Sequence, residues 1–200
     1  DLLWYHDDLG FWLDVSRMHL NSAALDELTP PLEQAFEAMK KLEAGAIANA
    51  DENRQVGHYW LRNPQLAPDQ AVGQHIAAEI NDIEQFGKAV ISGEIKSPTG
   101  QPFTDVLWIG IGGSGLGPLL MVRALQDIGN GLPFHFFDNV DPNGMSRVLG
   151  ELGDALRTTL VVTVSKSGGT PEPHLGMEQA RHRVESLGGN WPGQAVAITM

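Results

Sequence analysis

Residues 165–170 place three hydroxyls, one ammonium and two adjacent glycines in a row, a combination suited to holding an anion. Ser165, Ser167 and Thr170 supply the hydroxyls and Lys166 the cation. Gly168 and Gly169 let the backbone bend so that its N–H groups can converge on a ligand. The preceding run, residues 160–164, is short, apolar and β-branched, the pattern of a parallel strand covered on both faces. Thr170 is a good N-cap, and Pro171 suits the first helical position, where its missing N–H costs nothing. A phosphate here would meet hydroxyls, free amides, a positive helix end and an ammonium together. Glu172 is expected to interact with that helix end rather than act as a base. Lys166 reads as an anchor, since a Schiff-base role needs a desolvated amine for which the sequence gives no sign.

A second glycine-rich segment, residues 110–118, follows an earlier apolar run. It contains G-x-G-x-x-G, and Asp138 ends the next apolar run 23 residues beyond Gly115, where a ribose-binding acid would lie in a dinucleotide fold. Two features oppose that reading. A dinucleotide-binding helix would begin near Gly112 and leave Pro118 too deep to be tolerated. The anion loop at 165–170 is also one that a minimal nicotinamide fold does not need. Two anion loops on parallel strands suggest one phosphate held from two sides, or a phosphate plus sugar hydroxyls.

These loops need a sheet to position them. From residue 106 onward the chain alternates, with strands expected over 106–111, 134–137, 160–164 and 195–199 and helices over 119–128, 145–156 and 175–187. That alternation predicts an α/β fold with a doubly wound parallel sheet and ligands at the C-terminal ends of its strands. The first half reads as helical. Thr29-Pro30-Pro31 is expected to open a helix with Leu32, Ala35, Phe36, Met39 and Leu42 on one face. In a second helix, ended by Ser92-Gly93, Ile76, Ile80, Ile83, Phe86 and Val90 step by four, three, three and four. Trp4, Tyr5, Phe11 and Trp12, in a mixed opening segment, are expected to pack as core or subunit-contact residues. The Pro- and Gly-containing stretch at 97–102 reads as a linker between a helical segment, 1–96, and the α/β domain, 97–200. Residues 194–200 look like another buried strand, which would normally continue into a loop and covering helix, so a longer chain is expected.

Composition narrows the function classes. The chain of 200 residues carries 25 acidic and 13 basic residues, a net charge of −12, and lacks a basic stripe able to release counterions from nucleic acid. An anionic ligand must therefore be drawn by local features, because the global field opposes it. The absence of cysteine removes disulfides and thiolate metal sites and fits a reducing cytosol. The start lacks a basic region followed by an apolar run, so it does not read as a signal peptide, and no stretch has the roughly 18 apolar residues of a membrane span. His6 beside Asp7 and Asp8 lacks a third ligand, and neither a metal nor a cofactor is expected. His174 is expected to face solvent, and His58, among Tyr59 and Trp60, to be packed or capping.

The segment Ser165-Lys-Ser-Gly-Gly-Thr-Pro-Glu-Pro173 resembles the signature of the glucose-6-phosphate isomerase family, and residues 110–118 resemble that family's first glycine loop. Further similarity lies at 51–62, at 86–93 running on to Thr99-Gly100, and at Asn139-Val-Asp141, so the likeness covers about 51–200. It implies a sugar-isomerase domain of flavodoxin-like type. It also implies that Ser165, Lys166, Ser167, Thr170 and the amides of Gly168 and Gly169 hold the sugar phosphate, with Gly113 and Ser114 at the sugar end. Gly115 is a departure, since many members carry a side chain there. The implied activity interconverts glucose 6-phosphate and fructose 6-phosphate through a cis-enediol. Its glutamate, histidine, arginine and lysine are expected beyond Met200, which leaves this stretch without catalytic residues and inactive alone. A hexose 6-phosphate is the implied substrate and a homodimer the implied assembly, with no nucleic acid and no membrane as partner. A non-catalytic sugar-phosphate sensor and a dinucleotide-binding domain are the alternatives.

Overall fold

The computed structural model describes residues 2–125, 128 and 131–200. The chain forms two compact units, Asp1–Asp82 and Ile83–Met200.

The first unit combines helices with two short hairpins. It opens with an antiparallel hairpin, β1 (Leu3–His6) and β2 (Phe11–Asp14), in which Tyr5 pairs with Trp12 and their rings lie 4.5 Å apart. A second small hairpin pairs β3 (Ile47–Asn49) with β4 (Arg54–Gln55). Between the hairpins runs α1 (Ser22–Glu43), which begins well before the expected start at Thr29-Pro30-Pro31. Its cap is Asn21, whose side chain accepts the Ala24 N–H at 2.9 Å, and Pro30 and Pro31 sit in its interior. Each proline deprives a carbonyl four residues back of its partner, those of Asp26 and Glu27, and both residues are exposed, where water can substitute. The unit's core is small. Trp60, on α2 (His58–Arg62), is buried and donates its indole N–H to the Glu43 carbonyl at 2.9 Å. The last helix, α3 (Gln70–Ser92), is capped by Asp69 through the Val72 N–H at 2.8 Å. It ends, as expected, at Gly93, whose φ of 75° only glycine adopts without strain.

The second unit is an α/β sheet. Its strands are β5 (Asp105–Ile109), β6 (Phe134–Phe137), β7 (Thr159–Val164) and β8 (Ala195–Ile198), all parallel, in the order β6-β5-β7-β8. The connecting helices are α4 (Gly113–Leu125), α5 (Pro142–Leu152) and α6 (Pro171–Ser186). Two apolar clusters cover the two faces. Leu107, Ile109 and Val161 pack with Met145, Val148 and Leu149 of α5 and Ala180 and Val184 of α6. Val106, Leu160 and Val162 pack with Val90 and Phe103, and with partly buried Trp108, Phe134 and Val164. The period-two split of neighbours Val106 and Leu107 between the clusters is what a sheet covered on both faces requires.

Several boundaries differ from expectation, among them the strand expected over 106–111, which ends at Ile109, and the helix expected over 175–187, which begins at Pro171. The helix expected over 119–128 starts six residues earlier, at Gly113, and its last expected turn includes positions 126 and 127, outside the described residues. The helix expected over 145–156 begins at Pro142, where Asp141 accepts the N–H groups of Asn143 at 3.2 Å and Gly144 at 2.8 Å. It stops at Leu152 because Gly153 has φ 51°, and a 3-10 turn, Gly153–Thr158, follows. The 97–102 stretch is an ordered turn. Ser97 is buried and donates both its N–H and its hydroxyl to the Gln101 carbonyl at 2.9 Å.

Gly176 of α6 marks a close helix-to-sheet contact in the second unit. A Cβ there would lie 2.9 Å from Ile109 Cγ2 and 3.3 Å from a Phe137 ring carbon. Gly176→Val is expected to destabilise the protein by about 1–3 kcal/mol, read as a lowered urea midpoint.

Candidate functional site

Strand order decides where a ligand can sit. From β5 the chain crosses one way to β6, then returns past β5 to β7, so the order reverses between β5 and β7. In such sheets the crevice for a ligand opens outside the C-terminal ends of the two strands flanking the reversal. Ile109, the last residue of β5, lies beside Thr163, so the 110–114 and 165–170 loops leave neighbouring strands at nearly the same level.

The loop after β7 is held by its own hydroxyls. Ser165 Oγ donates to Thr170 Oγ1 at 3.2 Å, the Gly169 N–H donates to Ser167 Oγ at 3.2 Å, and the Gly168 N–H donates to the Ser165 carbonyl at 3.2 Å. Gly168 has φ 69°, which makes glycine the residue of least strain at the bend. Thr170 occupies the N-cap position as expected, but its side chain makes no capping bond, and its hydroxyl faces Ser165 instead. Pro171 and Pro173 remove two of the four N–H groups that a helix start leaves open. The donors for an anion are therefore mostly hydroxyls, the Lys166 ammonium and loop amides that a phosphate would have to draw from the loop's own oxygens. His174 is exposed, and its backbone N–H donates to the Thr170 carbonyl at 3.4 Å.

The edge strand β8 braces this loop. The Ser165 N–H donates to the Ile198 carbonyl at 3.0 Å and the Met200 N–H to the Lys166 carbonyl at 3.2 Å. The Thr199 hydroxyl lies 3.5 Å from where a Cβ on Gly168 would be. Nothing in the 194–200 sequence beyond its apolar run signalled this brace, because the contact comes from strand pairing.

The loop after β5 turns straight into α4, and Pro118 lies inside that helix. The objection to a dinucleotide loop based on Pro118 therefore fails. Pro118 leaves the Ser114 carbonyl without its helical donor, and the indole N–H of Trp108 takes that place at 2.8 Å. A Cβ on Gly110 would lie 2.5 Å from the Ser114 oxygen, and one on Gly115 would overlap the Gly110 oxygen. Glycine at 115 is thus demanded by this backbone. Among the described residues the Ser114 hydroxyl has no hydrogen-bond partner, and Gly113 forms the exposed start of the helix.

Asp138 adjoins the first glycine loop, its Cβ 3.7 Å from where a Cβ on Gly115 would stand, and the remaining candidates serve other contacts. Asp138 accepts from the Asn139 side chain at 2.7 Å beside a cleft of about 50 Å³, well below the roughly 300–1,000 Å³ of small-molecule pockets. Asn139 and Asp141 serve the start of α5, the Asn139 oxygen accepting the Asp141 N–H at 2.8 Å. His58 packs on the Tyr59 ring, with centroids 3.9 Å apart. Among the described residues no group of three or more His, Asp or Glu side chains is placed to hold a metal, and no helix is long and apolar enough to cross a membrane.

The phosphoglucose isomerase family model matches residues 14–200. The chain belongs to the phosphoglucose isomerase family. A glucose-6-phosphate isomerase of Parasynechococcus marenigrum (strain WH8102) is 76% identical over all 200 residues, which span 36% of that protein. One from Synechococcus sp. (strain CC9902) is 72% identical, with all of this chain aligned to 38% of its length. The crystal structure of a glucose-6-phosphate isomerase from Chlamydia trachomatis superposes with a TM-score of 0.74 at 29% identity, over 90% of this chain and 35% of that one. The chain thus spans little more than a third of the length of these relatives. The β6-β5-β7-β8 sheet is accordingly the sugar-isomerase fold of the family.

Gly115→Ala is expected to cost about 1–3 kcal/mol in chemical denaturation, because its methyl group meets backbone that cannot move aside. Gly117→Ala, two residues on in the same helix with nothing within 4 Å, is expected to be neutral or to stabilise by about 0.5–1 kcal/mol.

Proposed function

We propose that this chain supplies the sugar-phosphate-binding part of a glucose-6-phosphate isomerase, which interconverts glucose 6-phosphate and fructose 6-phosphate. The observation that carries the reading is the meeting of two ligand loops at the reversal point of the sheet in a chain of the phosphoglucose isomerase family. In this reading Ser165, Lys166, Ser167 and Thr170, with the amides of Gly168 and Gly169, hold the phosphate. Gly113 and Ser114 meet the sugar end. Charge-assisted bonds from Lys166 and the hydroxyls recognise the dianion despite the chain's net charge of −12.

The reaction itself proceeds through a cis-enediol, its proton moved between C1 and C2 by a glutamate from the family sequence beyond the stretch aligned here. The working protein is a cytosolic homodimer in this reading, and it needs no cofactor. A non-catalytic sensor would share the phosphate clamp but not the turnover. A dinucleotide binder would prefer NAD over hexose phosphates, and the second loop at 165–170 and the family membership favour the sugar phosphate.

In the full-length protein, Lys166→Ala and Thr170→Ala are each expected to weaken glucose 6-phosphate binding by roughly 10–100-fold in calorimetry while the fold persists by circular dichroism. Unchanged affinity in both variants would remove the loop from the site. Free glucose is expected to bind at least about tenfold more weakly than its 6-phosphate. Residues 1–200 alone are expected to show no turnover in a coupled isomerase assay, and a measurable rate would place the acid and base within them.

A further inference from the structure

We propose that Trp108 is a positioning residue for the sugar end of this site, its indole N–H standing in for the backbone N–H that Pro118 lacks. The inference rests on the sugar-phosphate reading of Gly113 and Ser114. In an α-helix the N–H of residue 118 would donate to the carbonyl of residue 114. Proline has no N–H, and its ring crowds that same carbonyl. A half-buried carbonyl left in that state loses water without gaining a protein partner. Here the Ser114 oxygen accepts from Trp108 Nε1 at 2.8 Å, a donor from the strand rather than from the helix.

The replacement ties the loop to the core. Trp108 sits on β5, partly buried in the cluster formed by Val106, Leu160 and Val162, with its ring 6.4 Å from that of Phe134. Packing on that face sets the direction of the indole, and the indole sets the Ser114 carbonyl. That carbonyl is also seated against Gly110, where a Cβ would stand 2.5 Å from it. The two residues that would meet the sugar are the first two of α4, so their placement follows from a bond made four residues before Pro118. A normal helix start would fix this turn from within. Here a strand side chain fixes it from outside, and can therefore be altered without touching any group that meets the ligand.

The test is a double-mutant cycle in the full-length protein with Trp108→Phe, which keeps the ring and removes the donor, and Pro118→Ala, which restores the helical donor. Trp108→Phe is expected to lower kcat/KM for fructose 6-phosphate by about tenfold, mainly through KM. The inhibition constant of inorganic phosphate, held by the 165–170 loop, should move by less than about twofold, a split that general loosening of the fold would not produce. Adding Pro118→Ala should return kcat/KM to within about twofold of Pro118→Ala alone. If Trp108→Phe does not fold, the comparison of the double variant with Pro118→Ala decides, and a deficit that survives in the double variant overturns the proposal. So does a Trp108→Phe protein with wild-type KM, or one in which phosphate inhibition weakens in parallel. The isomerase reading fails separately, if wild-type protein binds fructose 6-phosphate without turning it over, and the cycle is then read in the dissociation constant. Wild-type protein that does not bind the sugar phosphate overturns both.

Discussion

Parallel pairing of β5 with β7 is the constraint from which the candidate site follows. Val106 lies beside Leu160, Trp108 beside Val162 and Ile109 beside Thr163, so the two strands end together. Parallel neighbours need a crossover, and the crossovers leave β5 and β7 in opposite directions across the sheet. In open α/β sheets such a reversal is where a ligand crevice forms, and the two loops flank it. A slip of one residue would send Trp108 to the other face and remove the donor for Ser114.

Local chemistry at the crevice works against a global field of opposite preference. A chain carrying −12 repels an anion at long range, so attraction must come from groups within a Debye length of about 8–10 Å. In the proposed reading, hydroxyls from Ser165, Ser167 and Thr170 would serve this purpose without adding charge that the acidic surface would neutralise. The two prolines at the start of α6 trade amide donors for rigidity, because their fixed φ holds the first turn in place. β8 braces the same loop from its other side through the Ile198 carbonyl and the Met200 N–H. The loop is thus held at both of its flanks, which would lower the ordering cost of binding the proposed ligand.

Proline placement shows how far local rules reach. Pro171 fits its first-turn position with no compensation beyond its own geometry. Pro30, Pro31 and Pro118 each break the same rule by standing inside a helix. In α1 the orphaned carbonyls lie on exposed residues, so solvent settles the matter. In α4 the orphaned carbonyl lies against the sheet, and a side chain ten residues upstream of Pro118 supplies the donor. A rule based on neighbours in sequence handles the first case and misreads the other two, because the deciding partner is water or a distant residue.

The alternation of apolar runs with glycine-rich turns was legible from residues 106–200 alone, and so was the parallel sheet that sets the 165–170 loop at the end of one of its strands. β-branched strands, a φ-permissive glycine and a proline at a helix start act over a few residues, and their signals survive in a string of letters. The two hairpins of the first unit were hidden, since strands of two to four residues with exposed side chains carry little periodic signal. Only the tertiary structure decided that β8 braces the 165–170 loop, that Gly115 has no room for a side chain, and that the Trp108 indole donates to the Ser114 carbonyl in the first turn of α4. Each of those depends on which surfaces the packed sheet brings within about 3 Å of one another, the range of a hydrogen bond. That proximity is a property of the assembled layers and has no counterpart in the spacing of residues along the chain.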